Sequence, residues 1–220
     1  MGGMRSYGDP CGVACGLDVI GERWALLVVR DLLLGPKRFN DLLAGLRGIS
    51  PNVLAQRLRE LAEHGVLRRR DLPPPARVAV YELTDWGREL EPLLLHLGRW
   101  GSQVATPPEG ALGVDSIMLS IKAAFDPARA SSAPGRVYEL RVDTDAYCVQ
   151  TADGALRVSR DPAPTPPDAT LTTDLDTLRA LCDHRTTLAA AVDSGSVRLD
   201  GAERAQRDLA DLLLAPFTPA

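Results

Sequence analysis

The sequence predicts an α+β protein in two parts, and three observations carry that prediction. Over the first half, apolar residues recur at helical spacing and then give way to two short strand patterns around a proline-rich tip. Over the second half, alternating strand patterns separated by turn residues come first and helical patterns follow. Between the two, TPPEG at 106–110 has the composition of a linker, and the formal charge changes sign there. Residues 1–104 hold 14 Lys+Arg and 12 Asp+Glu, whereas residues 105–220 hold 11 and 17. The chain is therefore divided at 104/105, with a mildly basic first half masked by a whole-chain formal charge of −4.

In the first half, Trp24, Leu27, Val28 and Leu32 mark a helix over about 22–34 that Gly35-Pro36 stops. A short helix follows, with Phe39, Leu42, Leu43 and Leu46 on one face. Ser50 as N-cap and Pro51 as first helical residue open the next one, which carries Leu54, Leu58 and Leu61 inward and ends at Gly65. Strand patterns at 66–72 and 78–83 flank DLPPPAR, forming a hairpin with a stiff tip. Thr84 caps a last helix running towards Val104, which Pro92 should kink or break near Arg88. Helix–helix–hairpin in this order is a winged helix-turn-helix.

Such a fold presents the start of its second helix to the major groove of double-stranded DNA. Asn and Gln can pair bidentately with adenine and Arg with guanine, which makes Asn52, Gln56 and Arg57 candidate base readers. Ser50, at the same helix start, is a further candidate DNA contact. Lys37, Arg38, Arg68, Arg70 and Arg77 are candidates for phosphate or minor-groove contact. Strand alternation sends Arg68 and Arg70 to one face and Arg69 to the other. The competing reading is a solvated helix face followed by a basic turn, and Glu60 and Glu63 would repel DNA if they faced it.

Other classes find little support. The opening residues MGGMRSYGDP lack an apolar signal-peptide core, and the apolar run WALLVVRDLLLG is interrupted by Arg30 and Asp31, so a cytoplasmic protein without a membrane span is expected. Cys11, Cys15, Cys148 and Cys182 show neither disulfide-framework nor zinc-knuckle spacing, and no metal or other cofactor is expected. No HExxH, GxSxG, Walker or dinucleotide fingerprint is present, and His184 beside Asp183 reads as a pair of helix-surface residues. An enzyme is not expected.

The segments IGERW, LLLGPKRFNDL, GISPNVLAQRLREL and YELTDWGREL, in that order, resemble the HxlR-type winged-helix transcriptional regulators over roughly residues 8–104. The resemblance implies a dimeric DNA-binding repressor or activator that dimerises through its first helix and the helix after the wing. Leu90, Leu93, Leu94, Leu97 and Trp100 form an apolar stripe on that later helix, more than one small domain can cover, which suits a homodimer on a palindromic operator. Alternatively the stripe packs on the chain's own second half. Cys11 matches a position where some members carry a redox-sensing cysteine, and a place near a helix start suits a reactive thiol. A small apolar residue in an interface is the other reading.

In the second half, RVYELRVD, AYCVQT and GALRVSR read as an antiparallel meander, with Tyr138, Leu140 and Val142 on one face and Leu156 and Val158 likewise together. DPAPTPPD at 161–168 is a loop, followed by a strand at ATLTTD, helices near 174–183 and 185–193, a strand at SVRLDG and a terminal helix. The run from PDATLT through SGSVRLDG to AERAQRDLADLLLAPF resembles a sterol carrier protein-type domain over roughly 110–220. That resemblance implies an apolar cavity between sheet and helices for a lipid-like effector, with Tyr138, Leu140, Val142, Leu156 and Val158 as candidate lining. A core filled by its own side chains is the alternative.

Overall fold

The computed structural model describes residues 6–74, 76–104, 110–125, 135–152 and 154–214. The chain divides into two compact units, Met1–Leu94 and Leu95–Ala220. The expected linker at 106–110 lies, except for Gly110, outside the described residues.

The first unit begins with α1 (Gly12–Ile20), α2 (Ala25–Leu32), α3 (Phe39–Gly45) and α4 (Pro51–Glu63). Ser50 caps α4 by accepting the Val53 N–H at 3.3 Å, and Pro51 occupies the first turn, where its missing donor costs nothing. Gly65 takes φ +76°, the left-handed residue that turns the chain out of the helix. Strands β1 (Leu67–Asp71) and β2 (Ala79–Leu83) then pair antiparallel, with Leu67 opposite Leu83 and Arg70 opposite Val80. Lys37 adds an antiparallel bridge to Tyr81, its N–H donating at 3.0 Å and its carbonyl accepting at 2.8 Å. The α2–α3 connection is thereby tied to the hairpin.

Burying one face of each element produces the core. Val28, Val29 and Leu32 of α2, Leu42 of α3, and Leu54, Leu58 and Leu61 of α4 close on Val66, Leu67 and Leu83. Leu27, expected inside, is exposed, and α2, which starts after Trp24 at a left-handed φ of +80°, turns Ala25, Val28, Val29 and Leu32 to the core instead. The helix expected from 85 towards 104 is two helices, α5 (Asp85–Arg88) and α6 (Glu91–Gly101), with Pro92 in the first turn of the second. Thr84 holds α5 against the end of α4: its hydroxyl donates to the Gly65 carbonyl at 2.7 Å and accepts the Gly87 N–H at 3.1 Å. Gly87 is buried there, and a Cβ would fall on the Val66 carbonyl oxygen, so only glycine fits.

The second unit contains α7 (Val114–Ala124), β3 (Val137–Val142), β4 (Asp145–Ala152), β5 (Ala155–Ser159), β6 (Ala169–Thr173), α8 (Leu175–Cys182), α9 (Leu188–Asp193), β7 (Val197–Gly201) and α10 (Glu203–Leu214). Its sheet runs β5-β4-β3-β6-β7. The meander β3–β4–β5 is as expected, but β6 returns to the far side of β3 and pairs with it in parallel. A parallel pair needs a long crossover, and the β4–β5 hairpin with the 161–168 loop supplies it.

One sheet face is apolar and carries the helices. Tyr138, Leu140 and Val142 are at most 1% exposed and share that face with Tyr147, Val149, Leu156, Val158 and Leu171. α7 packs on β5, α9 on β7, and α10 on β6, β7 and α7. Buried Ile117, Met118, Leu209 and Leu213 supply the helix side of this core. Within it, the Tyr147 hydroxyl donates to Asp115 at 2.9 Å, and Arg160 pairs with the same carboxylate while lying over the tyrosine ring. Burial pushes the Tyr147 phenol up, and the neighbouring Asp115 charge adds to that.

Candidate nucleic-acid interface

An α-helix advances about 100° per residue, so residues 7 apart in α4 differ by only about 20° and residues 5 apart by about 140°. Asn52, Gln56, Arg59 and Glu63 accordingly share the solvent face, and all four are exposed. Arg57 does not share it. Only 8% exposed, Arg57 places Nη1 2.6 Å from Glu60 and 3.5 Å from Glu22, which sits in the turn before α2. Its Nε has no hydrogen-bond partner among the described residues. This arginine ties α4 to the α1–α2 corner instead of projecting beside Asn52. Gln56 is on the outer face, but its amide donates to Glu60 at 2.9 Å.

Lys37 is also turned inward. Its ammonium stands 3.4 Å from Asp31, which is 2% exposed and also receives Arg30 at 2.7 Å on its other oxygen. Arg38 is exposed at the start of α3, its backbone N–H donating to Asp41 at 3.2 Å. Ser50 is exposed too, although its hydroxyl is already engaged as the α4 cap.

On the hairpin, Arg68 and Arg70 lie on one face and Arg69 on the other, where it pairs with Asp71 at 3.4 Å. Glu82 comes up between Arg68 and Arg70, taking the Nε of the first at 2.7 Å and of the second at 3.0 Å. Burial opposes the Glu82 charge, but the two guanidiniums outweigh it and hold the carboxyl below the usual carboxylate range. Arg77 is exposed near the tip. The sequence-level candidates omitted Arg59, Glu82 and the exposed Arg47, which lies in the turn leading into α4. A helical wheel registered on Asn52 points to Arg59, and the strand register opposite Arg68 points to Glu82.

The apolar stripe after the hairpin divides. Leu90 and Leu94 pack against the first unit's core, whereas Leu93, Leu97 and Trp100 are exposed, Trp100 at 69%. Val13 and Leu17 of α1 are exposed as well. Cys11 occupies the N-cap position of α1 and is exposed, and the Val13 and Ala14 N–H groups stabilise its thiolate and lower its pKa. Exposed Cys15 follows one turn later, while Cys148 and Cys182 are buried. Among the described residues no group of three or more His, Cys, Asp and Glu side chains is arranged to hold a metal, and no helix is long and apolar enough to cross a membrane.

Comparison with known proteins gives four findings. A family model described as HxlR-like helix-turn-helix matches residues 19–109. The HTH-type transcriptional regulator YvaP of Bacillus subtilis is 38% identical over 92 residues, spanning 41% of this chain and 84% of that protein. The HTH-type transcriptional regulator YodB, also of Bacillus subtilis, is 33% identical over 90 residues, spanning 41% and 80%. Among solved structures, that of the redox regulator HypR in its oxidized form is 33% identical and covers 44% of this chain and 100% of its own, with a TM-score of 0.42.

Proposed function

This chain belongs to the HxlR-like helix-turn-helix family of transcriptional regulators, and we propose that it works as a cytoplasmic homodimer on a palindromic double-stranded operator. Residues 1–104 form the DNA-binding and dimerising part of this reading. The observation that carries it is the exposed polar face of α4, where Asn52, Gln56 and Arg59 stand in one line behind a capped helix start. Arg38, Arg47, Arg68, Arg70 and Arg77 are the phosphate contacts in this reading, and Arg57 and Lys37 hold the frame from inside. Exposed Leu93, Leu97 and Trp100, together with Val13 and Leu17 of α1, provide the dimer surface.

Residues 105–220 act in this reading as a sterol carrier protein-like unit for an apolar effector. The support is a sheet covered on one face by helices through an apolar layer that includes Tyr138, Leu140, Val142, Leu156 and Val158. An effector there alters DNA binding only if it binds the DNA-competent and incompetent forms unequally.

A duplex selected by the protein from a random library, then titrated by fluorescence anisotropy at several salt concentrations, tests the DNA reading. The logarithm of affinity should fall linearly with the logarithm of salt, and a scrambled duplex should bind far more weakly. Weak, salt-insensitive binding would defeat it and leave apolar-ligand carriage as the function. Native mass spectrometry of the same sample reads the dimer and any bound effector.

A second reading is redox control through Cys11, favoured by its exposed N-cap position and lowered thiol pKa. Mild peroxide should then reduce operator affinity in the wild type and leave Cys11→Ser unchanged. Equal responses would eliminate it.

A further inference from the structure

Two arginines two residues apart on β1 point the same way, about 6.8 Å apart along the strand, and both are well exposed. Long cationic side chains in that setting ordinarily sample many rotamers, and ordering them on a partner has an entropic cost. Here Glu82, 6% exposed and directly opposite Arg68, restricts that freedom. One carboxylate oxygen accepts the Arg68 Nε and the other the Arg70 Nε, so both guanidiniums are oriented by a single buried group. Each guanidinium has five N–H donors, and most of them stay turned away from Glu82. Arg69, on the opposite face, is held by Asp71 at 3.4 Å and shares no carboxylate with the pair.

We propose that Glu82 is a positioning residue for DNA backbone binding: it pre-orders Arg68 and Arg70 as a two-pronged phosphate clamp on the hairpin. The proposal rests on the DNA reading given above. It predicts an effect of opposite sign to simple charge counting. Removing a carboxylate next to polyanionic DNA should strengthen binding if charge alone matters. Removing a carboxylate that orders two phosphate-binding arginines should weaken it, because binding must then supply the ordering.

Phosphate contacts are independent of sequence, so a fluorescein-labelled mixed-sequence duplex is a sufficient probe for the full chain. Glu82→Gln should bind it roughly three- to tenfold more weakly than wild type despite carrying one negative charge fewer, as expected for lost ordering of one or two long side chains. Glu82→Asp keeps the charge but is too short to reach both Nε atoms, and it should also weaken binding. In an Arg68→Gln/Arg70→Gln background the further change Glu82→Gln should have little effect, which a purely structural role would not predict. Unfolding curves of each variant identify any that fails to fold. Tighter or unchanged binding by a folded Glu82→Gln overturns the proposal, as does a loss that persists in full without the two arginines. If the wild type itself does not bind the duplex, the DNA reading fails and the proposal with it.

Discussion

Replacing Asp31 by Asn tests whether the inward-turned charges hold the helices to the hairpin. Asp31 is 2% exposed and lies between the Arg30 guanidinium at 2.7 Å and the Lys37 ammonium at 3.4 Å, whose side chain is 10% exposed. Coulomb's law at that second distance, with an effective dielectric constant of about 20, gives about 5 kcal/mol for the Lys37 pair. The Asn carbonyl retains a hydrogen-bond acceptor, and Arg30 reaches solvent, so part of that loss is recovered. Breaking one side of a buried pair typically costs about 3–5 kcal/mol, and about 3 kcal/mol is expected here. Urea unfolding followed by tryptophan fluorescence reads the first unit, since Trp24 packs on its core. A loss below about 1 kcal/mol would mean that the pair is effectively solvated and does not fasten this junction. Asp31→Leu combined with Lys37→Met should recover most of the stability, because the cost arises from stranding one charge and not from removing both.

Three further outcomes follow from the same geometry. Ser50→Ala removes the α4 cap and should lower stability by about 1 kcal/mol in the same urea assay; no change would mean the 3.3 Å contact to Val53 is idle. Because the folded Glu82 carboxyl sits below its unfolded value, its contribution is present above about pH 4.3 and is lost as pH falls through the folded value. Glu82→Gln should therefore flatten the acid limb of a stability–pH curve, by a small amount because its arginine partners are exposed, and an unchanged limb would contradict the ion pair. Arg38→Gln should reduce the salt slope of DNA binding by about 1, whereas Arg57→Gln should leave the slope alone and lower stability; equal slope changes in both would mean that Arg57 also reaches DNA.

Local signals made much of the fold legible in the sequence. The cap and first-turn proline of α4, its leucine stripe and its closing glycine all act within one helix, and each can be read without knowing what packs against it. The alternation of Arg68 and Arg70 is equally local, a consequence of the strand period. Helix α7 was just as accessible, with Val114, Ile117, Met118 and Ile121 at i, i+3, i+4 and i+7, but it is short and lies next to the glycine- and proline-rich junction, where turn signals dominate. The parallel pairing of β6 with β3 depends on a long-range choice of sheet edge that periodicity does not encode. Arg57 and Lys37 were misplaced for a related reason. Their fates are set by Glu22 and Asp31, carboxylates on other parts of the chain, and nothing in the local pattern says that a cation will be drawn inward.

That inward draw changes what charge means in this half of the molecule. A count of arginines and lysines near a recognition helix suggests a uniformly attractive surface, yet the cations here have two distinct tasks. Lys37 pairs with the buried Asp31, whereas Arg57 is itself the buried charge and is paired by the more exposed Glu22 and Glu60; these pairs fasten α4 to the α1–α2 corner and the α2–α3 turn to Asp31. Arg38, Arg47, Arg59 and Arg77 remain on the outside, and Arg68 and Arg70 are there too, but under the control of Glu82. On the DNA reading proposed above, Glu82 therefore supports the basic surface, while Glu22 and Asp31 support the frame behind it. Glu22, Asp31 and Glu82 each orient a cation, and only Glu63 shares the outer face with Asn52. On the same DNA reading, a carboxylate on that face would favour a cytosine amine over phosphate, which would place repulsion at the far end of α4 and leave its first turns free to enter the groove.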